Sequence, residues 1–174
     1  MRRCDLCAVL PVYFVSVVFS RIMACCDDDT GNPELSANAS QIAWQLDDSE
    51  NQLLPKMQTD IMLSQGNNIL IIDAKYYSHM TQQQYGTNTL HSNNLYQIFT
   101  YVKNKEFELK DCEHTVSGML LYAQTDENII SNNTYQMSGN QIAVRALNLN
   151  QDFSGIAEDL DSIIEKHFFY HSGE

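Results

Sequence analysis

At 174 residues, 44% hydrophobic and 18% charged, the chain has the length and composition of one globular domain, which excludes an intrinsically disordered chain. Its formal net charge of −12 argues against tight autonomous binding to nucleic acid, where Lys and Arg that neutralise phosphates supply most of the affinity. An enzyme this acidic acting on nucleic acid needs a metal ion and a basic partner.

The first 34 residues differ in character from the rest. Arg2-Arg3 precede an apolar run from Ala8 to Phe19, and Ile22-Met23-Ala24-Cys25 resembles a lipoprotein cleavage box. Arg21 interrupts the path from the apolar run to the cysteine, and a membrane-spanning helix needs about 20 apolar residues in succession. Three accounts stay open for this head: a signal peptide, a truncated or frameshifted start, or a disordered segment. Cys4-x-x-Cys7 with Cys25-Cys26 makes a poor zinc site, because adjacent cysteines constrain a tetrahedral pair badly. Cys112, alone in a polar linker, reads as a bystander thiol. The turn-rich run Asp27-Asp28-Asp29-Thr30-Gly31-Asn32-Pro33 marks a boundary, and its consecutive carboxylates lack the alternating spacing of a calcium loop. The organisation is therefore a head over 1–34 and a domain over 35–174.

Over 41–46, Ile42, Trp44 and Leu46 share one face, which predicts a half-buried strand, and 47–51 reads as a hairpin turn. Two β-rich runs follow, 58–63 and 69–77, around the turn formers Ser64-Gln65-Gly66-Asn67-Asn68; they predict an antiparallel hairpin. Residues two apart on a strand face the same way, so Asp73 and Lys75 emerge side by side where the apolar run ends. Asp60, on the neighbouring strand, lies near them. Two carboxylates and an ammonium at a sheet edge are the parts needed to hold a divalent cation and activate water for phosphodiester hydrolysis.

Residues 78–89, rich in Gln and Thr, form a polar linker, read as a loop or as a lid over the cleft. From 92 to 104 the pattern turns helical, with Leu95, Ile98, Phe99 and Val102 in one stripe and Gln97 and Tyr101 on another face. His91 reads as a helix-entry residue. A buried strand follows over 115–123, then a polar, turn-rich segment over 124–140 and a further strand over 142–149. Asp152 is placed to cap a last helix, whose Phe153, Ile156, Ala157, Leu160, Ile163, Ile164 and Phe168 form an amphipathic stripe that packs on the sheet. No internal repeat and no phosphate-binding glycine loop is present.

An acid on one strand, a buried strand ending in Asp-x-Lys, and a helix bearing Gln97-x-x-x-Tyr101 together resemble the PD-(D/E)xK nuclease superfamily and its RecB-like branch. Several separate blocks, Ser40-Gln41-Ile42-Ala43-Trp44, Leu54 through Ile61, Ile71 through Tyr77 and His91 through Ile98, are similar to the nuclease domain of the McrC family. The resemblance implies an α/β domain with a restriction-endonuclease-like mixed sheet flanked by helices. It also implies a Mg²⁺-dependent endodeoxyribonuclease subunit of a 5-methylcytosine-directed restriction system, with Mn²⁺ as a substitute ion. Asp60 and Asp73, with the Ala74 carbonyl, would hold the ion, and Lys75 would position or deprotonate the attacking water. Gln97 and Tyr101 would orient Lys75 or contact a DNA phosphate. The implied partners are DNA and a McrB-like AAA+ GTPase, in the cytoplasm and without a membrane. A catalytically silent assembly subunit, or a secreted or lipid-anchored protein if the head is a true signal peptide, are the alternatives.

Overall fold

The most apolar stretch of the chain becomes the middle of the sheet. In the computed structural model, residues 35–76, 81–84, 87–124 and 132–169 are described, together with Ser16 and Val18. Over residues 35–169, the described elements run in the order β1 (Ser36–Asn38), β2 (Gln41–Ile42), β3 (Met57–Gln58), β4 (Ile61–Gln65), β5 (Asn68–Lys75), β6 (Thr81–Gln84), β7 (Thr87–Leu90), α1 (Ser92–Glu108), β8 (Thr115–Gln124), β9 (Asn133–Met137), β10 (Asn140–Asn148) and α2 (Phe153–Phe168). Six of the strands form one mixed sheet in the order β1-β4-β5-β8-β10-β9. Its β5, β8 and β10 are parallel; β1, β4 and β9 are antiparallel to their neighbours. This is the expected α/β architecture.

The central hairpin closes at Gly66-Asn67, with Gln65 opposite Asn68, and Gly66 at φ 60° supplies the left-handed residue that a two-residue turn favours. Strand β5 is buried on both faces because a helix covers each of them. Ile69 and Ile71 pack with Ile98 and Val102 of α1, while Leu70 and Ile72 pack with Leu160, Ile164 and Phe168 of α2. Each such fully buried side chain contributes about 2–3 kcal/mol. Continuing the alternation past Ile71 puts Asp73 and Lys75 on the α1 face.

Gly118 of β8 sets how closely α1 approaches that face. A Cβ there would lie 2.8 Å from Ile98 Cγ1 and 2.9 Å from Val102 Cγ2. Both neighbours are β-branched and stiff, so they have few rotamers to retreat into.

Several local expectations are corrected. The strand expected over 41–46 ends after Ile42: Trp44 turns its indole N–H to the Pro55 carbonyl at 2.6 Å, and Leu46 is exposed. The connection from β2 to β3 is thus a long loop over 43–56 rather than a tight hairpin turn. The linker over 78–89 contains a second hairpin, β6 paired with β7, and the polar segment over 124–140 contains edge strand β9. Strand β1 has no counterpart in the sequence reading. The helix expected over 92–104 runs on to Glu108, and Leu95 and Phe99 are only partly buried while Asn94 and Tyr101 are buried. Helix α2 begins as expected, with the Asp152 carboxylate accepting the Gly155 N–H at 3.0 Å, although Phe153 is exposed. Among the described residues, no helix is long and apolar enough to cross a membrane. The readings made for the head lie outside the described residues, apart from Val18, which is buried in the core beneath α2.

Candidate active site

Asp60 falls in the break between β3 and β4, not within a strand as expected. The chain changes sheets there, from the small β2–β3 pair to the six-stranded sheet, and Thr59 fixes the change. The buried Thr59 gives both its N–H and its hydroxyl to the Ser40 carbonyl, each at 3.0 Å, and its Oγ1 accepts the Ser40 N–H at 3.0 Å. Nothing in the sequence around Thr59 announces that its hydroxyl binds backbone.

Pairing of β4 with β5 stops at Ile61 opposite Ile72. The Ala74 N–H, beyond that end, is taken by Asp60 Oδ2 at 2.8 Å. Asp60 is therefore held one residue from Asp73, and two acids far apart in sequence meet at the strand end. Asp73 is 2% exposed, and its Oδ2 contacts the Lys75 ammonium at 2.5 Å. Lys75 in turn donates to Gln97 Oε1 at 3.0 Å, and Gln97 Nε2 donates to the Tyr101 hydroxyl at 3.0 Å. The five candidate catalytic residues thus come together: Asp60 on the Ala74 amide, and Asp73, Lys75, Gln97 and Tyr101 in one unbroken chain. Tyr101, expected on a helix face apart from the apolar stripe, is instead buried against the sheet.

Burial holds the Asp73 carboxyl above the usual carboxylate range. The Lys75 ammonium draws it back down through its charge and its hydrogen bond, and the Asp60 carboxylate pushes it up again. Two acids with one ammonium leave an excess of negative charge in a desolvated place, which a divalent cation would offset. One oxygen of each carboxylate is engaged by protein among the described residues, so the second oxygen of each suits a cation that takes few protein ligands and keeps several waters. No group of three or more His, Cys, Asp and Glu side chains with metal-holding geometry occurs among the described residues. Two carboxylates with no thiolate or imidazole beside them are oxygen donors, which would suit Mg²⁺ or Mn²⁺ rather than a soft metal.

Other candidates stand apart. His91 flanks the start of α1 without capping it through its side chain. Cys112 is a free, exposed thiol. Cavities of about 700 and 510 Å³ open beside Lys166 and His167 of α2, lined by none of the residues in the carboxylate cluster.

A mixed sheet covered by a helix on each face, with Asp-x-Lys at the end of its central strand, defines a restriction-endonuclease-like α/β fold. The chain belongs to the family described as McrBC 5-methylcytosine restriction system component, whose sequence model matches residues 21–123. It is also similar to the type IV methyl-directed restriction enzyme EcoKMcrBC of Escherichia coli (strain K12), with 32% identity over 137 residues, or 76% of this chain. The chain spans 38% of that relative's length.

Proposed function

We propose that this chain carries the DNA-cutting site of a modification-dependent restriction system and hydrolyses phosphodiester bonds with Mg²⁺. The observation that carries the reading is the continuous contact from Asp73 through Lys75 and Gln97 to Tyr101, beside an Asp60 anchored on the Ala74 amide. Asp60, Asp73 and the Ala74 carbonyl would hold Mg²⁺, which when bound polarises the scissile phosphate and acidifies water. The Lys75 ammonium would orient the attacking water and offset the charge that develops on the phosphate oxygens. Gln97 fixes the Lys75 ammonium by accepting from it, and Tyr101 fixes Gln97. Positioning of this kind supplies much of a hydrolase's advantage over water.

A site in a chain of net charge −12 gains little DNA affinity from its own surface. A nucleotide-hydrolysing partner of the AAA+ class, recognising methylated DNA and presenting it here in the cytoplasm, supplies what this surface lacks. The domain boundary near residue 34 belongs to the same proposal, with residues 35–174 carrying the site.

The decisive assay follows cleavage of methylated duplex DNA with Mg²⁺ or Mn²⁺, with and without partner and GTP. The wild-type chain cuts only with the divalent ion, and Asp73→Ala and Lys75→Ala do not cut while remaining folded. Cutting by either variant removes the assignment. A wild-type chain that joins the partner but never cuts would instead be an assembly subunit.

A further inference from the structure

Beneath the Lys75–Gln97 contact lies a second pair that the proposed chemistry does not use. Asn94 of α1 is 5% exposed and Tyr122 of β8 is 1% exposed, and Asn94 Nδ2 donates to the Tyr122 hydroxyl at 3.0 Å. Tyr122 is the register partner of Lys75 across the parallel β5–β8 ladder. Tyr122 also packs in the cluster shared with α1, so it lies on the face to which Asp73 and Lys75 point. On the helix, Asn94, Gln97 and Tyr101 are spaced i, i+3 and i+7 and form one polar stripe inside an otherwise apolar contact.

An apolar pair would serve packing at these two positions as well, without the desolvation of an amide and a hydroxyl. What the polar pair adds is direction. A hydrogen bond fixes the rotation and height of the first turn of α1 against β8, and Gln97 leaves the helix one turn later. Packing between Ile98, Val102 and Gly118 resists movement toward the sheet, but apolar contact alone resists sliding and rotation weakly.

We infer that Asn94 and Tyr122 are positioning residues, which act through helix α1 to keep Gln97 on the Lys75 ammonium. The inference rests on the nuclease reading for its consequence in catalysis, but not for the contact that it describes. Removing the Tyr122 hydroxyl lets the first turn rotate, so that Gln97 loses its fixed distance to Lys75. Misplacement of this size lowers turnover by about 10- to 100-fold, and it leaves the carboxylates where they were.

The test uses the full 174-residue chain and reads the ¹⁵N–¹H cross-peak of the Lys75 ammonium, assigned by its loss in Lys75→Arg. Tyr122→Phe is expected to move or broaden this peak as Gln97→Ala does, and the double variant to differ little from Gln97→Ala alone. Non-additivity of that kind is the mark of a residue acting through Gln97, and a merely structural loss would not produce it. Asn94→Ala reads the same contact from the helix side and stands in if Tyr122→Phe does not fold. An unmoved Lys75 peak in either folded variant, or fully additive changes, overturns the inference. In the cleavage assay, Tyr122→Phe lowers kcat with little change in KM, and adds nothing to Gln97→Ala. A wild-type chain that fails to cut would sink the nuclease reading alone, since the Lys75 peak still decides the positioning claim.

Discussion

Helix α2 buries Ala157, Leu160, Ile164 and Phe168, an uninterrupted apolar stripe, whereas helix α1 buries Asn94 and Tyr101 beside Ile98 and Val102. Both cover the same sheet, one on each face. The stripe that α2 lays on the sheet is apolar throughout. Polar groups on the α1 face are desolvated and then satisfied by Lys75, by Tyr122 and by one another. A helix meant only to cover strands gains nothing from this arrangement, because a buried polar group returns little beyond the cost of removing it from water. Impurity in the stripe of α1 is the feature that the proposed function accounts for, since it joins Lys75 to Gln97 and Tyr101.

Substitutions can sharpen or break that contrast. The largest effect belongs to the α1 face: Asp73→Ala or Lys75→Ala lowers divalent-ion-dependent cleavage by roughly 10³-fold or more, with a cooperative thermal transition retained. Measurable cutting would mean that the chemistry lies elsewhere. On the other face, Leu160→Ala costs about 2–5 kcal/mol of stability, read by denaturant unfolding, and leaves the ion affinity of the folded fraction unchanged. A weakened affinity would show that the faces are not independent.

The two faces also respond oppositely to pH. Burial depresses His167 of α2 to about 4 from 6.5. It is neutral in the fold, so its contribution is whole above the unfolded value and is lost as pH falls from 6.5 through about 4. The loss amounts to about 3 kcal/mol, and it should vanish in His167→Leu. Asp73 is raised instead, so the folded state holds a proton that the unfolded chain has released. Stability therefore declines as pH rises from 3.8 through the raised value. Asp73→Asn removes this smaller slope. Unfolding free energies at a series of pH values, in wild type and the two variants, separate the contributions; slopes of the same sign on both faces would contradict the assignment.

The parts legible in the sequence were those whose side chains record burial. The central hairpin, β8, β10 and α2 carry apolar runs or stripes because both sides of β5 and one side of α2 are covered. Strand periodicity put Asp73 and Lys75 side by side, but their candidate role, and the choice of Gln97 and Tyr101, came from the resemblance to the PD-(D/E)xK nucleases. Edge strands left no such record. Ser36–Asn38 and Asn133–Met137 join the sheet through backbone hydrogen bonds at its rim, and their mostly polar side chains read as loop. The β6–β7 hairpin, made of Thr, Gln, Asn and one Leu, hides for the same reason. Trp44 misled because its apolar ring continues the alternation of Ile42, while its indole N–H is drawn out of register by the Pro55 carbonyl. Tyr101 is hard to assign to a face from sequence, because a hydroxyl that bonds inward looks there like one that meets water.

At Gly118, α1 packs so closely on the sheet that no side chain fits between them. A single methyl added there, as in Gly118→Ala, would act as a shim between helix and sheet and lift the Gln97 arm while Asp60 and Asp73 stay in place on their hairpin. The outcome is a slowed enzyme with intact ion binding, visible as a reduced kcat at unchanged ion affinity; loss of ion binding would show that the hairpin leans on the helix after all.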